Sequence, residues 1–534
     1  MKKRIFAALA ASLLAASALV SCGGSDAGSS APASSKEASS ETGAAQSAAE
    51  SSEAPVDYAA QAIADRTETE HLVVSWFTWI GATEGISRIA EKMNELTIPA
   101  LNIDVEMNVT DFASRSQALT LAFSGGEQID LMYSLGLGLS NAAQNDYLVD
   151  LEMADENGGS LIETYGQGII DAMGWDNINT SRIDGVLYGT PTQHDLAQGR
   201  NALMIRRSAL QAAEAYMDLK PDYDTNIWKV NGQEDIVTII KALHDAEPNV
   251  TAYQPSPMAN TNWTAIDNLG GNLFGVLMDY GQSTEVVNYF ETQEYRDFVD
   301  MMVELNRYGC ISPDALTDTT SDQAAFQAGT INSFFTSGKP DIVPVNDPDL
   351  IVAQGGPDVT TSTQIGGFCW TIGYTTVDPV AAMQYLNFMY ESAEWNNLFM
   401  WGEEGVDYTL NDEGLVVKND DSDFGHAMQW LCPAEFIAYV QEGNPADLWE
   451  QYRDFNEGAI VSKASGFTFN MTNVATQFTA VTNVYNQYQK AIEFGFSDPD
   501  TAIAEMNEAM MKAGLQDIID EKQAQLDAWL AAKK

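Results

Sequence analysis

The chain has 534 residues, 26 Lys and Arg against 76 Asp and Glu, a formal charge of −50 and 45% hydrophobic residues. That acidity excludes a basic nucleic-acid footprint and disfavours a strongly anionic ligand, unless the site that takes it is locally basic. The apolar share supports a sizeable core. The length exceeds what one core fills, so two lobes are expected.

The chain opens with Met1-Lys2-Lys3-Arg4, an apolar run from Ile5 to Leu19, and then Leu19-Val20-Ser21-Cys22. A positive start, a short apolar segment and small residues at a cut form a secretory signal, too short for a comfortable membrane span. The stretch resembles the lipobox of bacterial lipoproteins. That resemblance implies loss of residues 1–21, diacylation of Cys22 and a lipid-anchored place on the extracellular face of a cell membrane, of the Gram-positive type. Residues 22–57 are Ser, Ala, Gly and Glu with almost nothing to bury, which predicts a disordered linker spanning roughly 30–35 Å. Later apolar runs fall short of membrane-spanning length. Cys310, Cys369 and Cys432 lack a CxxC spacing and read as buried thiols, with one disulfide left open.

The globule is expected from about residue 70. Leu72–Phe77 reads as a buried strand and Glu84–Leu96 as an amphipathic helix ended by Pro99. Ile103–Met107 alternates as a strand, Ser114–Phe123 is helical, and Ile129–Tyr133 is a third strand. This order predicts a mainly parallel sheet flanked by helices, with ligand sites beyond the strands' carboxyl ends. The loops after Phe77 and Tyr133 are therefore the first candidates. Asp184-Gly185 signals a hairpin turn and Asn201–Ile205 a further strand into a helix over 208–217. Residues 230–310 and 320–328 read as mostly helical, the latter before Thr330–Phe335, and Gly366–Ile372 as a buried strand. Asp378-Pro379 and Asp498-Pro499 each start a helix, with Asp as N-cap and Pro at the first position. Gly514 separates the last two helices.

Four stretches then resemble the extracellular solute-binding proteins of bacterial ABC sugar importers, family 1 type, in particular LplA-like oligosaccharide-binding lipoproteins. They are Ser124-Gly125-Gly126-Glu127-Gln128-Ile129-Asp130-Leu131, the DGxxYGxP-like Asp184–Pro191, Trp401–Tyr408 with Asn411–Gly414, and Lys512–Ile518. The third departs from the family pattern, with Asp407 where His is usual. The resemblance implies an α/β, two-lobed periplasmic-binding-protein-like fold (type II) over residues 70–534, each lobe a mainly parallel sheet flanked by helices. Lobe 1 is expected to hold about 70–190 plus part of 331–375, lobe 2 about 195–330 plus 376–480, and helices to close the chain over 481–534. Hinge strands are expected near Pro191–Leu203 and Phe368–Ile372.

Chemistry points the same way. A sugar ring offers an apolar C–H face and a rim of hydroxyls, which suit flat aromatics and Asp, Glu or His. Among 11 Trp, the candidate binding residues are Trp76, Trp79, Trp263, Trp370, Trp401 and Trp430, with Tyr133, the pair His194 and Asp195, and Glu404. For each ring, core packing is the competing reading. Glu403-Glu404 is an adjacent carboxylate pair, not a pair placed across a sugar as a glycosidase needs. Asn419–Gly425 lacks the Gly and Glu of a calcium loop, and Gly136-Leu137-Gly138 lacks the third glycine of a dinucleotide fingerprint. The expectation is a monomeric binding protein, not an enzyme, with no cofactor and no metal. It would capture an oligosaccharide and deliver it to the transmembrane subunits of an ABC permease and their cytoplasmic ATPase. A peptide or polyamine ligand is the alternative, and an extracellular glycoside hydrolase a weaker one.

Overall fold

The computed structural model describes residues 56–533 except 79–81, 156, 226, 258, 271, 342–348 and 425–428. The expected signal, Cys22, most of the linker and Trp79 lie outside the described residues. None of the described helices is long and apolar enough to cross a membrane.

Two main sheets are built from β1 (Glu70–Thr78), β2 (Ile103–Asp111), β3 (Leu131–Tyr133), β4 (Thr190–Pro191), β5 (Gln198–Arg206), β6 (Ile227–Lys229), β7 (Ser333–Gly338), β8 (Leu350–Gln354), β9 (Asp358–Thr360), β10 (Cys369–Ile372) and β11 (Ile460–Val461). The first sheet runs β2-β1-β3-β10-β4, and the second β11-β9-β5-β8-β6 with β7 also on β5. β1 pairs in parallel with both β2 and β3, and its Leu72, Val74, Trp76 and Phe77 are buried. Such burial on both faces is what a central parallel strand requires.

Local signals explain most helices. In Glu84–Leu101, Ile86, Ile89, Ala90 and Met93 face the core, and Thr83 Oγ1 accepts from Ile86 N–H at 3.3 Å. Pro99 does not end this helix as expected. It sits in the last turn, where a missing N–H removes only one bond before Asn102 closes the helix at φ 54°. Asp378 and Asp498 cap their helices as the sequence predicts. Residues 247–292 are less helical than expected. Past the helix Gly232–Ala246 they hold a short helix at Ala259–Trp263, a two-stranded ribbon (Ile266–Asp267 with Leu277–Met278) and 3-10 turns.

The two cores divide the chain differently from the expected partition. The first joins Leu72, Val74 and Trp370 to Leu386, Met389, Trp395, Phe399 and Tyr452, so helices Pro379–Glu391, Ala393–Trp401 and Leu448–Gly458 belong to lobe 1. The second joins Leu203, Ile239 and Phe298 to Val481, Met506, Leu515 and Leu526, so the C-terminal helices belong to lobe 2. The cause is β10, which enters the first sheet beside β3 and β4. The helices that follow stay on that sheet until the chain returns at β11.

The chain thus crosses between sheets three times: β4 to β5, β9 to β10, and the helix Leu448–Gly458 to β11. The first two run through Pro191–Leu203 and into Phe368–Ile372, the segments named from the sequence. The third is new, and it is bound to the first through Asn456. The Asn456 Oδ1 accepts from Leu196 N–H at 2.8 Å and Ala197 N–H at 3.1 Å, and its Nδ2 donates to His194 O at 2.8 Å.

Candidate functional site

The crossings leave the first sheet at the carboxyl ends of β1, β3 and β4, and meet the second at the carboxyl ends of β7, β8 and β9. Both sheets therefore present the end where α/β sheets bind ligands. His194 and Asp195 lie on the first crossing, as expected. The ring of His194 stands edge-on to Phe368 at 5.9 Å, and Phe368 edge-on to Trp430 at 5.6 Å. Phe368 and Trp430 are both partly exposed. They present aromatic surface next to the crossing strands.

A charged group adjoins this aromatic line. Lys339, just past β7, places Nζ 3.0 Å from Asp195 Oδ2 and 3.4 Å from Asp341 Oδ1. Burial pushes the Asp195 carboxyl up, but Lys339 and His194 outweigh it and leave it low, at about 2. Burial likewise pulls the Lys339 ammonium down, and the two carboxylates more than reverse that. Glu435 comes from lobe 1 and is 2% exposed. Burial, then the charges of Asp195 and Asp341, push its carboxyl well above the usual range. Glu435 Oε2 and His194 Nε2 have no hydrogen-bond partner among the described residues. Unsatisfied buried polar atoms are costly in a folded protein, and those at a site are groups a polar ligand can complete.

The other expected residues are placed differently. Trp76 is buried with its ring stacked on Phe399 at 4.7 Å. Trp263 is buried and donates from Nε1 to Tyr253 Oη at 3.1 Å. Trp401 is buried, donates to Tyr439 O at 3.1 Å, and carries Lys418 over its ring. These three rings are taken up by the cores, because each indole finds its apolar partners inside its own lobe. Tyr133 and Trp370 are buried too, but beneath the site. The Tyr133 hydroxyl donates to Trp430 O at 3.2 Å, Thr192 Oγ1 donates to the same oxygen at 3.1 Å, and Trp370 Nε1 donates to Leu431 O at 3.0 Å. They hold the backbone that carries Trp430.

Glu404 is exposed on a lobe 1 turn. That turn is organised by Asp407, whose carboxylate takes both arms of Arg88 at 2.8 and 2.9 Å. The residue that departs from the family pattern thus serves a bidentate ion pair. Phe368, Lys339, Glu435 and Asn456 were not singled out in the sequence. Only Phe368, inside an expected hinge strand, carried a signal that pointed to it. Cys310, Cys369 and Cys432 are free thiols. Among the described residues no cluster of His, Cys, Asp and Glu has metal-holding geometry.

Comparison with known proteins agrees with this architecture. Residues 463–531 match a family model described as a domain of unknown function, DUF3502. The chain is 22% identical over 431 residues to a carbohydrate ABC transporter substrate-binding protein of Streptococcus pneumoniae serotype 4 (strain ATCC BAA-334 / TIGR4), covering 77% of this chain and 83% of that one. Among solved structures it is similar to the N-glycan transport solute binding protein NgtS of Streptococcus pneumoniae, with a TM-score of 0.74 at 19% identity, over 87% of this chain and all of that one. The complex of that protein with Man1GlcNAc aligns at a TM-score of 0.66 and 18% identity, over 86% of this chain and all of the other. An extracellular solute-binding protein of Bifidobacterium longum subsp. infantis aligns at 0.55 and 13% identity, over 86% of this chain and 99% of that one. The fold is that of the two-lobed solute-binding proteins.

Proposed function

We propose that the protein is the lipid-anchored extracellular binding component of an ABC importer. It captures an oligosaccharide between its lobes and delivers it to the permease. The observation that carries this reading is the convergence of three crossing strands on one aromatic and polar site at the carboxyl ends of both sheets. The glycan complex of NgtS and the printed function of the S. pneumoniae relative support an oligosaccharide as the ligand class. A ligand that touches both lobes only when they close favours the closed state by its differential affinity. Trp430 supplies a ring face to a sugar, and His194, Asp195 and Glu435 supply its hydroxyl partners.

The test is an oligosaccharide array followed by calorimetry. Wild type is expected to bind at least one member. Trp430→Ala is expected to bind that member about tenfold more weakly, as loss of one stacking contact implies. An array with no binder rejects the carbohydrate reading. The tether is tested apart: a Cys22→Ser protein is expected to bind sugar in solution and to fail in supporting uptake.

A further inference from the structure

Arg200 is the third residue of β5, where the chain enters lobe 2 from the first crossing. It is 6% exposed. A guanidinium has five N–H donors, yet among the described residues Arg200 has one acceptor, Thr261 O at 2.9 Å from Nη1. Its buried Nε has none. Asp267, the carboxylate that acts electrostatically on Arg200, is committed elsewhere. The Asp267 Oδ1 accepts from Leu269 N–H at 3.0 Å and Ser362 Oγ at 2.7 Å, and its Oδ2 accepts from Ser362 N–H at 2.8 Å. A buried cation without a counterion is costly, so this one calls for an anion that the described residues do not supply.

A second feature lies against Asp267, whose Oδ2 is close to Gly281. Tyr280 and Asp267 are the groups that act electrostatically on Arg200. Tyr280 occupies a turn in which three successive residues, Asp279, Tyr280 and Gly281, have φ of 53°, 54° and 78°. Left-handed backbone at two adjacent non-glycine residues is strained, and such strain persists where surrounding structure enforces it. Here it is enforced from the hinge. Lys463 N–H donates to Gly281 O at 3.0 Å, Gln282 Nε2 to Val461 O at 2.8 Å, and Lys463 Nζ to Gln282 O at 2.6 Å. The turn is thereby bonded to the strand that forms the third crossing.

We infer that Arg200 anchors a carboxylate of the captured ligand, so that the oligosaccharide includes an acidic sugar residue. A carboxylate matches the free edge of a guanidinium in a bidentate pair, which a hydroxyl does not. The site supplies the locally basic spot without which a chain of charge −50 disfavours an anion. The inference rests on the carbohydrate reading for its ligand class, so the experiment separates the two.

The first arm is an oligosaccharide array containing uronic-acid and sialylated members paired with their neutral counterparts, with calorimetry on the best pair. The acidic member is expected to bind wild type tightest. Arg200→Gln is expected to lose about 30-fold on the acidic member and less than threefold on its neutral counterpart. Arg200→Lys keeps the charge and guards against a folding defect, and is expected to lie between. The second arm compares D-glucuronate with D-glucose in thermal melts of wild type and Arg200→Gln. Wild type is expected to be stabilised by glucuronate alone, and the variant by neither. Equal stabilisation by both sugars, or a glucuronate effect retained in Arg200→Gln, overturns the inference whatever the array shows. A silent array with an Arg200-dependent glucuronate effect leaves the anion subsite standing and rejects an oligosaccharide as the ligand in favour of a single acidic sugar.

Discussion

Each lobe buries an arginine near the end of a central strand, and the two are satisfied in opposite ways. Arg115 in lobe 1 is fully buried. Its guanidinium donates to Leu135 O at 2.9 Å, Tyr133 O at 2.8 Å, Ser75 O at 3.4 Å and Ser75 Oγ at 3.2 Å, and lies 4.7 Å over the Phe77 ring. Burial pulls it down to about 9, but its donors are spent on the carbonyls that end β1 and β3. Arg200 in lobe 2 has a single acceptor among the described residues. One arginine is a rivet for strand ends that would otherwise hang unpaired beside the crossing. The other, among the described residues, has donors to spare, which is the basis of the proposed anion subsite. The type of residue and its burial do not separate structure from function here; the hydrogen-bond account does.

The largest effect that tests this contrast is Arg115→Leu. It strands at least three acceptors, at about 1–3 kcal/mol each for a buried group left unpaired, and a loss of about 4 kcal/mol in denaturant unfolding is expected. A loss below about 1 kcal/mol would show that water replaces the guanidinium and that Arg115 is no rivet.

Lobe 2 has its own rivet, and pH reads it out. Lys522 on the C-terminal helix is fully buried, and its Nζ donates to Gly275 O at 2.9 Å and Asn272 Oδ1 at 3.0 Å. Burial lowers its ammonium from 10.5 to about 7. Between those values the unfolded chain holds a proton that the native chain has released, so native stability rises with pH through that window. The slope has a ceiling of about 1.4 kcal/mol per pH unit. Wild type should therefore gain on Lys522→Met between pH 7 and pH 10 in paired thermal melts. A flat difference would mean that the loop carbonyls hold the ammonium charged throughout.

Such contrasts set the boundary of what the sequence could convey. Elements fixed by their own neighbours were readable: Asp378-Pro379 caps its helix because the capping N–H groups lie two and three residues on, and Asp184-Gly185 turns a hairpin with φ of 51° and 87°. The two lobes were expected from chain length, and the first two crossings from the family resemblance. The third crossing did not, since β11 is two exposed residues with no periodicity. Aromatic residues misled for a physical reason. A tryptophan packs in a core or against a sugar through the same flat face, and only distant partners such as Phe399 for Trp76 decide between them. Trp430 has no core pattern around it in sequence, yet Tyr133 on β3, Thr192 just past β4 and Trp370 on β10 hold its backbone segment at the candidate site. Arg200 was silent because what marks it is a shortage of acceptors. That shortage depends on Thr261 and Asp267, more than 60 residues away, and on how each is already engaged.

The smallest expected effect is the sharpest test of the contrast. Arg200→Met removes a buried charge that has one acceptor among the described residues, and leaves a side chain of similar length beside Thr261 and Gly356. Replacing a poorly compensated buried charge by an apolar group is often neutral or stabilising, so the change in unfolding free energy should stay within about 1 kcal/mol, with a gain as acceptable as a loss. The same protein should bind an acidic oligosaccharide worse than wild type while a neutral one is unaffected. Arg115→Leu is expected to do the reverse, unfolding early and binding with unchanged preference for as long as it stays folded. If Arg200→Met instead costs as much as Arg115→Leu, the guanidinium is engaged by the folded chain itself and both arginines are structural.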